Sequence, residues 1–345
     1  MLRALARRGD LSLTTYAVTW RGRRALGDSV PSNVTVATRP IPATVVRELW
    51  GRGATRPRVE DWTGSVDVVH ATNFVAPPTR AAVVVTVHDL TFIRFPELCT
   101  PDTLRYRALL ERAIARGATV HTPSKFIATE ALELLGVPED RVVAIHSGIP
   151  TVADGDPGLG CRLAGGPRYI LTLGTIEPRK NLSTLVTAFT EVARTDPDLL
   201  LILAGPAGWD SPRVQAAIDT SRARDRIVQL GYVGDRDRAA LLAGATVFAY
   251  PSIYEGFGFP PLEAMQAGVP VIAGNAGALA EVLGDAAHFV APMDIDALAA
   301  ALASLTSSDG PEARATMIER GRTQVKQYDW DVTAGHLVSL YRSLA

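Results

Sequence analysis

The chain has 345 residues, more than one hydrophobic core usually serves, so two domains are expected. Hydrophobic residues make up 47% and charged residues 21%, an ordinary globular balance, and abundant Ala and Gly with only 6% aromatics suit packed α/β layers better than a β-sandwich. A net charge of −1 excludes a global field that recruits nucleic acid, and no apolar run approaches the roughly 18 residues of a membrane span.

In chain order, residues 2–8 read as a helix and 11–17 as a strand. The opening is basic and apolar but has neither a long apolar core nor a cleavage site, so no signal peptide is read. A doubly wound domain normally opens on a strand, a Gly-rich turn and then a helix. Here the pattern starts at the helix, as if the first strand were missing. The same stretch carries Arg3, Arg7, Arg8, Arg21, Arg23, Arg24, Arg39, Arg47, Arg52, Arg56 and Arg58 against few acids. Such a face can dock on anionic lipid or an acidic substrate; a solvated Arg-rich surface is the plainer account.

Strands follow at 66–70, 83–87, 119–122 and 142–145, with helices at 101–115 and 125–135. His88 and Asp89 end the apolar strand 83–87. His88 therefore falls at the carboxyl end of a parallel strand, where α/β sheets place ligands. A His hydrogen-bonded to a loop carbonyl is the structural alternative, and Asp89 is placed to orient the neighbouring loop. Ser124, in Thr-Pro-Ser-Lys, is expected to cap a helix. Residues 150–167, rich in Gly, Pro and Asp without periodicity, read as an interdomain linker. Cys99 and Cys161 have no metal-like or CxxC spacing and read as reduced packing residues of a cytosolic protein.

The second half alternates more cleanly. Strands are expected at 169–173, 199–204, 227–230, 247–250 and 269–273, and helices at 182–193, 213–222, 236–243, 261–267 and 330–345. Short apolar runs between helical patterns indicate βαβ units and a parallel sheet. Two runs here carry chemistry. Glu255-Gly-Phe-Gly-Phe-Pro-Pro-Leu-Glu263 sets two carboxylates around a Gly-rich turn. Pro260 and Pro261 suit the first helical positions, which puts Glu263 in the first helical turn and Glu255 in the loop before it. The backbone amides of Gly256, Phe257, Gly258 and Phe259 would face an anion or a sugar, although a capped helix alone accounts for any single element of this run. In Gly174-Thr-Ile-Glu-Pro-Arg179-Lys180-Asn181, a strand end is followed by adjacent cations suited to a diphosphate, with Asn181 as the expected helix cap. Asp235-Arg-Asp237 and Asp294-Ile-Asp296 could be taken for metal-binding pairs, but both begin helices, where Asp caps and complements the dipole.

These runs occur in order with Leu203-Ala-Gly-Pro206, Gly231-Tyr-Val233, Tyr250-Pro-Ser252 and Gly268-Val-Pro-Val-Ile272. Together they resemble glycosyltransferase family 4, retaining enzymes of the GT-B fold, over 81 to the C-terminus. The resemblance implies an α/β fold of two Rossmann-like doubly wound parallel-sheet domains facing a cleft. The expected division is residues 1–152 on the acceptor side, a linker at 153–167, a nucleotide-sugar domain at 168–328, and a helix at 329–345 returning toward the first domain. Arg179 and Lys180 then match the pair holding the donor diphosphate. Glu263 matches the ribose carboxylate, and Glu255 the carboxylate beside the donor sugar. Gly256, Phe257 and Gly258 match the loop contacting that sugar and the phosphate, and Tyr232 and Val233 lie in the region near the nucleobase. Gly174 belongs to the donor loop, and His88 faces the sugar from the first domain.

The implied reaction is retaining hexosyl transfer from a nucleoside diphosphate sugar to a hydroxyl on a glycan or lipid-linked acceptor, with no metal or cofactor. The His88-Asp-Leu-Thr-Phe run with downstream Phe95-Pro-Glu97 resembles bacterial mannosyltransferases, which makes GDP-mannose the first donor to consider. A cytoplasmic location is implied, peripheral to the inner face of the plasma membrane through the Arg-rich stretch. Rival readings are an epimerase or phosphorylase of the same fold, and an inactive donor-binding scaffold, the latter motivated by the missing first strand.

Overall fold

The computed structural model describes residues 1–18, 23–39, 41–151 and 153–345. Arg21 and the side chains of Arg23, Arg24, Arg39 and Arg47 fall outside the described set. The chain divides into two compact units: Met1–Gly148 with Tyr328–Ala345, and Ile149–Gln327.

Unit 1 runs α1 (Leu2–Ala6), β1 (Thr14–Val18), α2 (Arg23–Ser29), β2 (Thr35–Arg39), α3 (Ala43–Gly51), α4 (Glu60–Thr63), β3 (Val68–Ala71) and β4 (Ala82–Thr86). It continues with α5 (Thr91–Arg94), α6 (Pro101–Leu104), α7 (Tyr106–Ala115), β5 (Thr119–Thr122), α8 (Lys125–Leu135) and β6 (Val142–Ala144). Its parallel strands fall into two sheets, β1–β2 and β3–β4–β5–β6. The single helix expected at 101–115 is two, parted at Arg105, and β1 starts at Thr14 rather than at 11. Ser124 caps α8 as expected, its side chain accepting from Ile127 N at 3.2 Å.

Unit 2 runs α9 (Pro157–Ala164), β7 (Tyr169–Leu173), α10 (Leu182–Val192), β8 (Leu200–Ala204), α11 (Ser211–Thr220), β9 (Ile227–Gly231), α12 (Asp235–Gly244) and β10 (Val247–Tyr250). It continues with α13 (Phe259–Gln266), β11 (Val271–Gly274), α14 (Leu279–Leu283), β12 (Ala287–Val290), α15 (Ile295–Thr306) and α16 (Pro311–Val325). The six strands form one parallel sheet in the order β12-β11-β10-β7-β8-β9. Every residue of β7, β10 and β11 is buried, as helices on both faces require, and this is why these strands read as unbroken apolar runs. One face buries Leu185 and Phe189 of α10, Val214 and Ile218 of α11, and Leu298 and Leu302 of α15.

The last helix, α17 (Trp330–Leu344), returns to unit 1. Ala334, Leu337 and Val338 pack with Leu5 of α1, Val84 of β4 and Ile145.

The linker expected at 153–167 is corrected by α9. Asp156 caps it, its side chain accepting from Gly158 N at 2.8 Å, and Gly165 ends it in the left-handed conformation. Its glycines serve close packing against α12 rather than flexibility. A Cβ on Gly160 would stand 2.1 Å from the Ala240 carbonyl oxygen, and one on Gly155, just before the helix, 2.1 Å from that of Ala239. Unit 2 accordingly begins at Ile149, and the chain leaves it at Gln327.

Candidate active site

The strand order of unit 2 reverses at β7, whose neighbours are β10 and β8. At such a reversal the loops leaving the carboxyl ends turn to opposite sides and open a crevice, the usual ligand position in an open α/β sheet. The two chemistry-bearing runs leave these central strands: Gly174–Lys180 follows β7 and Pro251–Gly258 follows β10. Backbone contacts tie the loops together. Ile253 N donates to Arg179 O at 2.9 Å, and Asn181 Nδ2 donates to Pro251 O at 3.2 Å.

Glu255 is the hub. Its Oε1 lies 2.6 Å from Lys180 Nζ and its Oε2 2.6 Å from Arg179 Nη1. Arg179 Nε also meets Glu177 Oε1 at 2.7 Å. Lys180 is 8% exposed and Glu255 6%, so this is a buried cluster with two cations and two carboxylates. Burial works against ionising Glu255, but Lys180 and Arg179, by charge and hydrogen bond, outweigh it and hold the carboxyl at about 2. Burial pushes the Lys180 ammonium down, and the Glu255 charge opposes that fall. Lys180 Nζ also donates to the Tyr250 phenol and sits 4.5 Å from the centre of its ring.

Glycines make this geometry possible. Gly277 takes a φ of +59°, and a Cβ there would stand 2.3 Å from the Glu255 carbonyl oxygen; Ala278 N donates to that oxygen at 2.8 Å. Gly258, at φ +116°, starts α13, which begins at Phe259. That start is two residues earlier than expected and moves Glu263 out of the first turn, so the dipole has little hold on it. Glu263 is buried instead against Arg238 of α12, a charge contact in which its Oε2 makes no aligned hydrogen bond. Asn181 stands at the start of α10 without the expected side-chain cap. Its left-handed backbone turns the amide toward Pro251, and its Oδ1 accepts from the Thr184 hydroxyl at 2.7 Å.

The remaining residues lie apart from the hub. Tyr232 and Val233 follow β9, two strands from β7, with Tyr232 79% exposed. His88 belongs to unit 1, where its Nε2 donates to Thr72 O at 2.8 Å and its ring meets Phe74 edge-on. Asp89 Oδ1 accepts from Thr91 N at 3.0 Å and so fixes the turn after His88. Asp235 and Asp237 lie in the first turn of α12, and Asp294 caps α15, accepting from Ala297 N at 2.9 Å.

Two family models match the chain: "Glycosyltransferase Family 4" over residues 1–152 and "Glycosyl transferases group 1" over residues 162–324. O-antigen chain mannosyltransferase B of Escherichia coli is 34% identical over 285 residues, covering 80% of this chain and 74% of that one. The chain belongs to glycosyltransferase family 4. A phosphatidyl-myo-inositol mannosyltransferase of Mycobacterium leprae (strain TN) is 30% identical over 336 residues, covering 92% of this chain and 85% of the relative. The sucrose-phosphate synthase of Thermosynechococcus elongatus superposes with a TM-score of 0.75 at 19% identity, over 99% of this chain and 91% of that one, which bears on fold alone. The transferase has the GT-B fold, with two Rossmann-like parallel-sheet units, and it is a hexosyltransferase. These matches favour it over the epimerase, phosphorylase and inactive-scaffold readings.

Of the residues read from sequence, the transferase brings Arg179, Lys180 and Glu255 into direct contact, with Gly174 at the root of the same loop. Three partners carry no such signal in the sequence. Glu177 is an ordinary acid in the loop after β7, Tyr250 reads as a strand end, and Arg238 sits in an Asp-Arg-Asp-Arg run whose acids suit a helix start. A buried strand-end tyrosine next to a paired cation is a signal that strand pairing alone reveals.

Proposed function

We propose that the transferase moves a mannosyl group from GDP-mannose to a hydroxyl of a glycan or lipid-linked acceptor, with retention at the anomeric carbon. The observation that carries the reading is the Arg179–Lys180–Glu255 cluster where the strand order reverses. The mannosyltransferase relatives support the sugar. In the cluster two cations are balanced by Glu177 and Glu255, so the pair is held charged and oriented before any donor arrives. An arriving diphosphate is met by the charges of both residues. Glu263 takes the ribose hydroxyls in exchange for Arg238. The amides of Gly256, Phe257 and Gly258 face the sugar and phosphate, and Tyr232 and Val233 the base. As the bond from the anomeric carbon to the diphosphate oxygen breaks, charge grows on that oxygen beside Lys180 and Arg179. The acceptor oxygen bonds to the same face of the sugar, and its proton passes to the leaving phosphate. The clamp does the work of a metal, so EDTA leaves the activity intact.

The Arg-rich stretch supports a cytoplasmic enzyme that touches an anionic membrane surface to reach a cell-envelope acceptor. In unit 1 Arg7 and Arg8 are already paired with Asp331 and Asp10, so Arg3 and Arg58 are the residues to test in vesicle binding. Among the described residues, no helix is long and apolar enough to cross a membrane.

The test is transfer from GDP-mannose, set against UDP-glucose and ADP-glucose, into a bacterial lipid extract, with products read by mass and by the anomeric NMR coupling. A hexose increment from GDP-mannose with an α linkage is expected. Transfer from the other donors alone, or an inverted linkage, contradicts the proposal.

A further inference from the structure

We infer that Tyr250 is a positioning residue for Lys180, its phenol holding the ammonium charged and aimed toward the diphosphate seat. The inference rests on reading Arg179 and Lys180 as that seat.

An ammonium has three N–H donors. Lys180 gives one to Glu255 Oε1 at 2.6 Å and one to the Tyr250 phenol oxygen, which leaves one for a ligand. Tyr250 is the last residue of β10 and is 2% exposed; its ring stacks on Phe248 at 6.0 Å and 24°. Packing therefore gives the phenol oxygen a single position. Lys180 Nζ lies 4.5 Å from the ring centre, at the hydroxyl edge of the ring, where the phenol oxygen offers it a lone pair. Lys180 therefore sits between a phenol oxygen and a carboxylate oxygen, each within hydrogen-bond reach of its ammonium.

The two partners of Lys180 differ in kind. Glu255 is anionic and competes with an incoming diphosphate for the same charge. Tyr250 is neutral: burial first, and then the Glu255 charge, push its phenol far up, so it stays protonated. It offsets the desolvation of Lys180 without repelling phosphate. Burial, and after it the Arg179 charge, work to discharge the ammonium, while Glu255 and Glu177 oppose them; removing the phenol oxygen strengthens the discharging side.

Tyr250→Phe keeps the ring and removes the acceptor. GDP binding is measured by titration calorimetry from neutral to alkaline pH, with UDP substituted if GDP gives no heat. Affinity at neutral pH should fall about tenfold, the scale of one hydrogen bond to a charged group. The alkaline limb of binding should move down by about one pH unit. Lys180→Met should abolish that limb. An unmoved limb in Tyr250→Phe, beside lost affinity in Lys180→Met, overturns the role of Tyr250 alone. Full GDP affinity in Lys180→Met overturns the diphosphate seat and this inference with it. If the Phe variant does not fold, 3-fluorotyrosine placed at position 250 keeps the volume and weakens the oxygen as an acceptor. A downward shift is again expected, and an unchanged profile contradicts the assignment.

Discussion

Glu255 carries opposing demands. It is buried, yet it stays ionised because two cations reach it, and each cation depends on it in turn. Replacing it by Gln leaves Lys180 without its carboxylate and Arg179 with Glu177 alone, and breaking a buried pair from one side costs on the order of 3–5 kcal/mol. Urea unfolding of Glu255→Gln should show that loss, whereas a variant as stable as wild type would mean that water or another acid already balances the cations. Lys180→Ala should lower turnover by well over tenfold, the scale of a lost charge-assisted contact, and a steady-state assay at saturating donor reads it. The residue types at 179, 180, 255 and 263 could be read from sequence because adjacent cations and paired carboxylates beside glycines have few structural uses. Their pairing could not, since Lys180 and Glu255 are 75 positions apart and meet only because β7 and β10 are neighbours.

Elements were legible to the degree that burial was two-sided. β7, β8 and β10 lie near the middle of the six-stranded sheet and read as plain apolar runs. β12 is an edge strand with only its last residue buried, and β2 reads Thr-Val-Ala-Thr-Arg; neither has a continuous apolar signature. α9 was missed because Gly and Pro look like a linker when their partner is unknown. Gly160→Ala tests the close packing of α9 on α12 directly. The added methyl runs into the Ala240 carbonyl, and overpacking of this kind costs about 1–3 kcal/mol. Gly165→Ala instead meets open space and pays only for its left-handed backbone. Equal stability of Gly160→Ala and wild type would return α9 to the status of a loose connector. A second element-level device lies in unit 1. Tyr341 of α17 bonds His70 Nδ1 at 2.5 Å, His70 Nε2 meets Thr86 Oγ1 at 2.7 Å, and Thr86 meets His121 Nδ1 at 2.9 Å. His121 Nε2 ends the chain on Ile145 O at 3.2 Å. A carbonyl only accepts, so His121 donates from Nε2, and the same direction runs back to Tyr341, with both rings neutral.

Acid stability follows from these groups. Burial above all, with neighbouring His charge adding to it, holds His70 down at about 3 and, with the Ile145 carbonyl partly opposing, His121 at about 4. Both folded values lie below the ordinary 6.5, so the stability they contribute is complete above 6.5 and is lost as pH falls through about 4 and then about 3. Glu255 has the same sign over its own window, from 4.5 down to about 2. Thermal melts should therefore fall progressively below pH 6.5, and Tyr341→Phe with His70→Asn should flatten the upper part of that fall. A melt that is level down to pH 4 in wild type would show that the two rings are not held neutral.

The proposed seat of the nucleoside diphosphate in this family 4 transferase is Arg179 with Lys180, in unit 2. A thermal-shift panel of GDP, UDP, ADP and their sugar conjugates tests it most directly, because a ligand that binds only the folded state must raise the melting temperature. Stabilisation by one nucleoside diphosphate, GDP foremost, is expected, lost in Lys180→Ala and weakened in Glu263→Ala. Stabilisation that survives both substitutions, or no stabilisation by any of the nucleotides, would contradict it.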